Sequence, residues 1–310
     1  FDLSVDLINI NDYDNNYQFY FETNPIISND DVAVNIALNI DGVRSEANAN
    51  VNINIGHEGD SVTTAVVNIS DSDNVWLELN ADDNNNGTSD EDVLTYNLDG
   101  VESSNDYTGL ISNSFETITI NVTGDSDVNR IEDYNGDDNS KVININADAD
   151  LTVDGNTNIN DNVADVTITI TGSGDVDLGD ADLGDGDAED TVTVDASAST
   201  GGLTITDASG FINSIIGGSG DDDITVATFE TEVSVGDGDD TFDTNGLDFG
   251  DANAEAIDGG AGTDTIAIND GALLDAATAA NISNFEVLDI SGVTGGDAYE
   301  MDVESSLVAD

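Results

Sequence analysis

The amino-acid sequence predicts an all-β protein folded as a parallel β-solenoid, in which successive coils of the chain stack on one another. Short segments alternate apolar and polar residues, as half-buried strands do. These strand-like segments return at a nearly constant spacing, which is the pattern of a stacked repeat. Gly, Asn and Asp, which favour turns, fill the segments between them. The period of two excludes a helical solenoid.

The composition is extremely acidic. The chain has 310 residues and a formal net charge of -64, with 67 acidic residues against 3 of Lys and Arg. Nucleic acids and anionic membranes are excluded as direct partners, because both require basic surface. The absence of cysteine excludes disulfides and thiolate metal sites. Asp, a short and rigid oxygen ligand, greatly outnumbers Glu, which favours hard cations as partners. A solvated acidic surface is the alternative explanation.

The middle of the chain carries the clearest repeat. The segments TITINV, VININA, VTITIT and TVTVDA place matching apolar residues 25, 25 and 24 residues apart, at Ile118, Ile143, Ile168 and Val192. The position between the apolar residues forms a predicted outward ladder of Thr119, Asn144, Thr169 and Thr193. Stacked coils keep such a period because each coil covers the edge of the one before it. We therefore predict coils of about 24–25 residues here.

The same register repeats acidic residues just after the strand. The predicted column is Asp125, Asp150 and Asp175, followed by Ser199 and Asp223 in the next two coils. Stacked strands lie about 4.8 Å apart, and two carboxylates at about 5 Å repel by roughly 3 kcal/mol at an effective dielectric constant near 20. Divalent cations between the carboxylates would offset this repulsion. Further candidate metal ligands in these coils are Asp127, Asp177, Asp180, Asp182, Asp185 and Asp187.

Glycine-rich phrases mark a tighter coil near residue 220. GGSGDDDIT at 217–225 returns 18 residues later as VGDGDDTFD at 235–243, and GGAGTDTIA at 259–267 is a third copy. These phrases fit the nonapeptide G-G-x-G-x-D-x-U-x of calcium-binding β-helices, except for Val235 in the first place of the second copy. The first two loops should therefore stack on the same side of the fold.

These three copies resemble the RTX (repeats-in-toxin) family, whose parallel β-roll spends two nonapeptides per turn. The resemblance implies several Ca²⁺ ions held by glycine carbonyls and by the sixth-position aspartates of neighbouring loops. The implied aspartates are Asp222, Asp240 and Asp264, and the glycines that shape the turns are Gly218, Gly220, Gly236 and Gly238. Their acidic neighbours Asp221, Asp223, Asp237, Asp239 and Asp258 are further candidate ligands.

A second kind of acidic loop lies at residues 82–92, DDNNNGTSDED. Asp82, Asn84, Asn86 and Asp90 occupy places 1, 3, 5 and 9 of an EF-hand-like loop. The twelfth place is Val93 rather than Glu, and strand-like segments flank the loop. We interpret this segment, with Asp92, as a calcium-binding β-loop, and a plain solvated turn is the alternative.

Three regions are predicted. Residues 1–91 form an N-terminal β domain, either an Ig-like sandwich or further solenoid, and residues 92–270 form the calcium-binding solenoid. Residues 271–310 hold a short helix near 272–280 and the start of a second, truncated solenoid module. The second start is inferred because ISNSFE after Gly100 is echoed by ISNFE after Gly271. The chain thus has the pattern of a slice of a larger modular protein.

This combination resembles bacterial surface-layer proteins of the RTX-secreted kind and their adhesin relatives. The resemblance implies a calcium-stabilised extracellular structural protein, exported by type I secretion, that self-assembles with copies of itself into a surface layer or fibre. A cell-surface polysaccharide would be its anchor, without direct membrane insertion. The alternative is a calcium-dependent RTX adhesin or a module that binds ice or glycan. We expect no enzymatic activity, since His57 is the only histidine and cannot complete a zinc-protease motif.

Overall fold

The chain forms the predicted parallel β-solenoid in a computed structural model. The structure describes residues 2–8, 17–23, 34–42, 49–57, 63–73, 75–83, 92–103, 108–113, 115–133, 140–159, 165–184, 190–228, 230–245, 255–269 and 281–293. Within these ranges, no helix has the length and apolar character needed to span a membrane.

Successive strands alternate between two 12-stranded sheets. Sheet 1 contains β1 (Asp2–Ile8), β3 (Val34–Asp41), β5 (Thr63–Ser70), β7 (Val93–Asp99), β9 (Thr117–Gly124), β11 (Lys141–Ala147), β13 (Val166–Gly172), β15 (Val192–Ser199), β17 (Ser214–Ile216), β19 (Glu232–Ser234), β21 (Ile257–Asp258) and β23 (Ile282–Ser283). Sheet 2 contains β2 (Tyr17–Thr23), β4 (Ala49–His57), β6 (Val75–Asp83), β8 (Gly109–Asn113), β10 (Ser126–Asp133), β12 (Leu151–Ile159), β14 (Val176–Leu183), β16 (Leu203–Asp207), β18 (Asp223–Thr225), β20 (Thr241–Asp243), β22 (Thr265–Asn269) and β24 (Val287–Gly292).

Coil length varies along the stack. Hydrogen-bonded partners in neighbouring coils are 29 residues apart at Asn39 and Asn68, 25 apart at Asn121 and Asn146, and 18 apart at Asp222 and Asp240. The predicted length of 24–25 residues therefore describes the middle of the stack, and the predicted tightening to 18 residues is present at β17–β20. The coils before β7, for which no length was predicted, are longer.

The strand pairing runs through both predicted region boundaries. β1 pairs with β3, β3 with β5 and β5 with β7, all in parallel, so the described part of residues 1–91 has the further-solenoid form. At the other end β23 pairs with β21 and β24 with β22, so the described part of residues 271–310 adds a coil to the same two sheets. The helix predicted near residues 272–280 lies outside the described residues.

The inward faces of the two sheets share one apolar core. In β9, for example, Ile118, Ile120 and Val122 are buried while the residues between them point outward. Burying each such side chain contributes roughly 1.5–3 kcal/mol, so the alternation read from the sequence is also the main source of stability. Near the last coils, the rings of Phe242 and Phe285 pack with centroids 6.3 Å apart.

The register of two predicted columns is wrong from β15 onward. Thr169 lies beside Asp195, whereas Thr193 lies beside Thr167, one column away from the predicted ladder. A bulge between Thr169 and Thr171 accompanies this shift. Because side chains alternate with a period of two, an offset of two residues preserves every inward and outward position, and the apolar pattern alone cannot detect it.

The predicted acidic column needs the same correction. Asp125, Asp150 and Asp175 do share one position, because the strands that follow them pair in register. The next member is Gly202 rather than Ser199, since Val176 pairs with Leu203. The member after that is Asp221 rather than Asp223, because Asp223 pairs with Thr204.

Candidate functional site

The three glycine-rich loops stack along one edge of the solenoid, where the chain passes from sheet 1 to sheet 2. We call this the loop edge. The loops connect β17 to β18, β19 to β20 and β21 to β22, and these strands pair in parallel with one another. The predicted stacking of the first two loops on one side is therefore present, and the third loop joins them.

An inner acidic column, made of Asp222, Asp240 and Asp264, runs along the loop edge. The Asp222 amide donates to Asp240 Oδ1 at 2.8 Å, and the Asp240 amide donates to Asp264 Oδ1 at 3.1 Å. Glu286 extends the column, because its Oε2 accepts a hydrogen bond from the Asp264 amide at 2.9 Å. Each of these carboxylates thus accepts a hydrogen bond from a backbone amide of the preceding coil.

The inner acidic column is almost completely shielded from solvent. Asp222, Asp240 and Asp264 are 2%, 1% and 0% exposed. Asp222 uses both oxygens, since Leu203 donates to Oδ1 and Gly218 to Oδ2. In contrast, Oδ2 of Asp240 and Oδ2 of Asp264 have no hydrogen-bond partner among the described residues. Buried polar atoms rarely lack a partner, so a proton, a water or a cation is needed at these two oxygens.

Burial also changes the acidity of this column. It raises the pKa of Asp222 to about 6 and that of Asp240 to about 7. Burial raises the pKa of Asp264 as well. Neighbouring carboxylates add to each shift, because ionising one acid of the column is harder beside another. Near neutral pH the column therefore favours protons or cations.

An outer acidic column lies beside the inner one and is exposed. It consists of Asp150, Asp175, Asp221 and Asp239, with Asp125 preceding it in the same register. Asp175 donates its amide to Asp150 Oδ1 at 2.9 Å, and Asp239 donates its amide to Asp221 Oδ1 at 2.9 Å. These carboxylates accept hydrogen bonds from backbone amides of the following coil, whereas the carboxylates of the inner acidic column accept them from the preceding coil. Adjacent residues such as Asp221 and Asp222 thus connect a coil to both of its neighbours.

Glycines allow the loops to stack closely. A Cβ on Gly236 would collide with the carbonyl oxygen of Gly218, and a Cβ on Gly238, whose φ is +140°, would collide with that of Gly220. The Gly218 carbonyl accepts a hydrogen bond from the Asp237 amide at 2.9 Å. A carbonyl oxygen has a second lone pair, so such carbonyls remain available as additional ligands.

The acidic side chains that the structure describes do not form a compact metal cluster. Across the described ranges, no three acidic or histidine side chains are grouped so that they could hold one metal ion. A calcium ion at the loop edge would therefore meet one or two carboxylates and would complete its six to eight oxygens with backbone carbonyls and water. Oδ2 of Asp240 and Oδ2 of Asp264, which lack a hydrogen-bond partner among the described residues, are consistent with such a ligand set.

Several predicted ligands lie on the outer face of sheet 2, away from the loop edge. Asp127, Asp177 and Asp223 share one row with intervening threonines such as Thr152 and Thr204. This alternation separates like charges by two strand spacings, roughly 9.6 Å. Burial raises the pKa of Asp223, and the charges of Asp243 and Asp177 add to it. Asp180 and Asp182 are on the same sheet, in β14.

The remaining candidates fall into two groups. Asp237 is exposed at the loop edge, and Asp258 Oδ1 accepts a hydrogen bond from Asn284 Nδ2 at 2.6 Å. In the EF-hand-like loop, Asp82 belongs to β6, and Asp92 is buried with its amide donating to Glu116 Oε2 at 2.8 Å. The candidates that lie outside the described residues are Asn84, Asn86, Asp90, Asp185 and Asp187.

A ladder of asparagines on sheet 1 was missed by the sequence analysis. Each amide donates to the one before it along Asn39, Asn68, Asn97, Asn121 and Asn146, with Nδ2–Oδ1 distances of 2.7–2.8 Å. Thr171 continues the ladder by donating to Asn146 Oδ1 at 2.9 Å. The signal was present in the sequence as an asparagine before the last apolar residue in LNID, VNIS, YNLD and INVT.

The ladder is one column of a regular uncharged surface. We define the uncharged face as the three central outward columns of sheet 1 from β3 to β13, bordered by a further outward column that includes Asp41 and Asp99. Its residues are Asn35, Ala37, Asn39, Thr64, Val66, Asn68, Val93, Thr95, Asn97, Thr117, Thr119, Asn121, Val142, Asn144, Asn146, Thr167, Thr169 and Thr171. In a chain of net charge -64 this face carries no ionisable group. It ends at Asp195 in β15.

The fold, the inner acidic column and the uncharged face are the features on which a function can be argued for this chain. No protein-family model, no curated protein and no solved structure matches it.

Proposed function

We propose that this chain is a calcium-stabilised extracellular structural protein that self-assembles into a surface layer or fibre. The observation that carries the proposal is the inner acidic column, with two buried carboxylate oxygens that lack a partner among the described residues. A hard divalent cation satisfies such oxygens and neutralises the charge that burial disfavours. The proposed ligands are Asp222, Asp240 and Asp264, with Asp221 and Asp239. They would be divided among separate ions, so that each ion meets one or two carboxylates and completes its oxygen set with loop carbonyls and water.

The extracellular location follows from the same chemistry. A site with few carboxylates and several neutral oxygens binds calcium weakly, in the range of about 10⁻⁴–10⁻³ M that is typical of extracellular modules. The lack of cysteine and the near-absence of lysine are compatible with export of this chain. Calcium concentrations high enough to fill such a site would then occur only outside the cell.

Self-assembly is proposed because calcium changes the balance of charge between copies. Copies with a formal charge of -64 repel one another in the absence of calcium. Bound calcium lowers this charge and can bridge exposed carboxylates such as those of Asp221 and Asp239. The uncharged face gives two copies a surface on which they can approach without opposing carboxylates.

A calcium titration of the full chain tests this function. Light scattering and electron microscopy should show monomers in a chelator, sheets or filaments in millimolar calcium, and monomers again after chelation. Magnesium should be much less effective, because it requires a tighter octahedral site. A folded, calcium-saturated chain that stays monomeric at high concentration would rule out the structural role.

The uncharged face favours a second candidate, a calcium-dependent adhesin or module that binds ice or an uncharged glycan. A flat lattice of Thr, Asn and Val side chains can bind a regular, uncharged ligand without electrostatic penalty. In this case the calcium-loaded monomer should adsorb to ice or to an insoluble neutral polysaccharide. Replacing Thr119 and Thr169 by Asp should abolish that adsorption.

A further inference from the structure

The only lysine of the chain is buried in the core. Lys141 begins β11 and is 1% exposed, in a chain whose 67 acidic residues include exposed ones such as Asp221 and Asp239. Its Nζ lies 3.0 Å from Oδ2 of Asp133, which ends β10 and is equally buried. Nζ also donates to the carbonyl oxygen of Phe115 at 3.0 Å. A lysine buried in this way contributes neither to solubility nor to surface charge, so its position calls for another explanation.

A buried ion pair is a costly way to stabilise a fold. Removing two charges from water costs several kcal/mol per ion, and apolar replacements of such pairs are often neutral or stabilising. In a dry site the charged forms lose their advantage. Transfer of one proton from Nζ to the Asp133 carboxylate gives a neutral amine beside a neutral carboxylic acid, which are the two reactants of amide formation.

Other groups around the pair suit this reaction. Burial raises the pKa of the Glu116 carboxyl, while the charge of Lys141, which lies close enough to act on it, lowers the same pKa. Glu116 is held next to β11, because its carbonyl accepts a hydrogen bond from the Val142 amide at 2.8 Å. Burial together with the charge of Asp133 raises the pKa of Tyr96 above its usual range, which keeps this hydroxyl neutral.

We propose that Lys141 and Asp133 join in an intramolecular amide, a self-formed covalent cross-link between sheet 1 and sheet 2. The distance of 3.0 Å between Nζ and Oδ2 holds the amine beside the carboxyl group whose Cγ it would attack, and such fixed proximity of two reactants favours their reaction. The inference is independent of calcium and of the proposed function.

The reaction is a simple condensation. The neutral amine attacks Cγ of Asp133, the Nζ–Cγ bond forms, and one Cγ–Oδ bond breaks. The departing oxygen takes two of the three protons that the ammonium group carried and leaves as water, and the amide nitrogen keeps the third. No oxidant, reductant or cofactor is consumed. Loss of the water from the apolar core favours the amide.

The amide would provide a covalent link in a fold that cannot form disulfides. The chain contains no cysteine, so disulfides cannot connect its coils. An amide between the end of β10 and the start of β11 fixes the passage from sheet 2 to sheet 1 on the edge opposite the loop edge. The coil could then not open at that point, even if the loop-edge hydrogen bonds were lost.

Intact-mass spectrometry of the purified full chain tests the proposal. We expect most molecules to be lighter than the sequence predicts by the mass of one water. Digestion followed by tandem mass spectrometry should yield a branched peptide that joins the segments containing Asp133 and Lys141. The Lys141→Arg variant keeps a buried cation but has no nucleophilic amine, so it should have its full sequence mass.

Two results would overturn the proposal. One is a folded parent protein of full sequence mass. The other is a loss of water that persists in Lys141→Arg, because succinimide formation at Asp–Gly steps such as Asp237–Gly238 causes the same change of mass. If Lys141→Arg fails to fold, the presence or absence of the branched peptide in the parent decides the question.

Discussion

Neighbouring aspartates in the tight loops have opposite environments. Asp221 is exposed and accepts the amide of the following coil, whereas Asp222 is buried and its amide is bound by Asp240. Their sequence context is the same run of acids, so only the turn determines which carboxylate is desolvated. Neighbouring residues of this protein therefore differ in burial for geometric reasons.

Asp240 should give the calcium-free protein a distinctive pH dependence. Its pKa is raised from 3.8 to about 7 in the folded state, so between these values the folded chain binds more protons than the unfolded chain. Its contribution to stability is present below about pH 4 and is lost as the pH rises through 7, and solvent screening keeps it below an upper limit of roughly 4 kcal/mol. Calcium should remove this dependence by replacing the proton.

The Asp240→Asn variant isolates this contribution. It can still accept the Asp222 amide, but it neither titrates nor supplies a full charge to calcium. In thermal melts without calcium, its stability should fall less than that of the parent between pH 5 and 8. It should also gain less stability from calcium. The exposed control Asp154→Asn should resemble the parent, and a parent-like Asp240→Asn would remove Asp240 from the proposed site.

At the scale of strands, side-chain ladders supplement the backbone pairing. Asn121 donates to Asn97 and accepts from Asn146, and it thereby connects three coils. Such ladders need strict register, because a slip of two residues keeps every side chain on its face of the sheet but moves each asparagine out of its column. The asparagine ladder therefore fixes the register that the apolar pattern leaves ambiguous.

Removal of one rung should be measurable. Asn121→Ala loses two side-chain hydrogen bonds of roughly 0.5–1.5 kcal/mol each, so we expect it to destabilise the calcium-loaded protein by about 1–3 kcal/mol. Asn144→Ala is the matched control, because Asn144 points outward from β11 and has no side-chain hydrogen bond to the described residues. Equal losses of unfolding free energy in urea titrations would show that the ladder contributes nothing beyond strand propensity.

The sequence was sufficient to predict the strands but not their contacts. The alternation at Ile118 and Ile120 predicted which residues face the core, because burial imposes a period of two. The offset at β15 was missed, because moving by two residues leaves that period intact. The pairing of Asp133 with Lys141 could not be predicted, since it depends on how two strand ends meet across the core.

At the scale of the whole molecule, charge is distributed unevenly. The loop edge and sheet 2 carry acids, whereas the uncharged face does not. Copies that assemble without large electrostatic repulsion should therefore meet through this face. Charged variants of this face distinguish its two proposed occupants. They should reduce calcium-dependent assembly if a second copy occupies the face, and adsorption to ice or to a neutral polysaccharide if an external ligand does.

Charges placed on the uncharged face should block assembly. The double variant Thr119→Asp with Thr169→Asp should bind calcium and melt like the parent, yet show little calcium-dependent light scattering. Ser173→Asp with Ser291→Asp adds the same charge at exposed positions outside the face and should assemble normally. Unchanged assembly of the first variant would show that copies meet elsewhere, without affecting the proposed role of calcium in assembly.

The narrowing of the coils has a consequence for the order in which the chain loses its structure. β9 has 8 residues and buries three apolar side chains, whereas β19 has 3 residues and buries Val233 alone. Two fewer buried side chains per strand correspond to roughly 3–6 kcal/mol. In a linear stack each coil depends mainly on its neighbours, so unfolding can begin at the weaker end and propagate. Amide hydrogen exchange should thus report a gradient, fastest near β19 without calcium and slowest near β9. The proposed calcium ions would stabilise the end of the stack that hydrophobic burial leaves weakest.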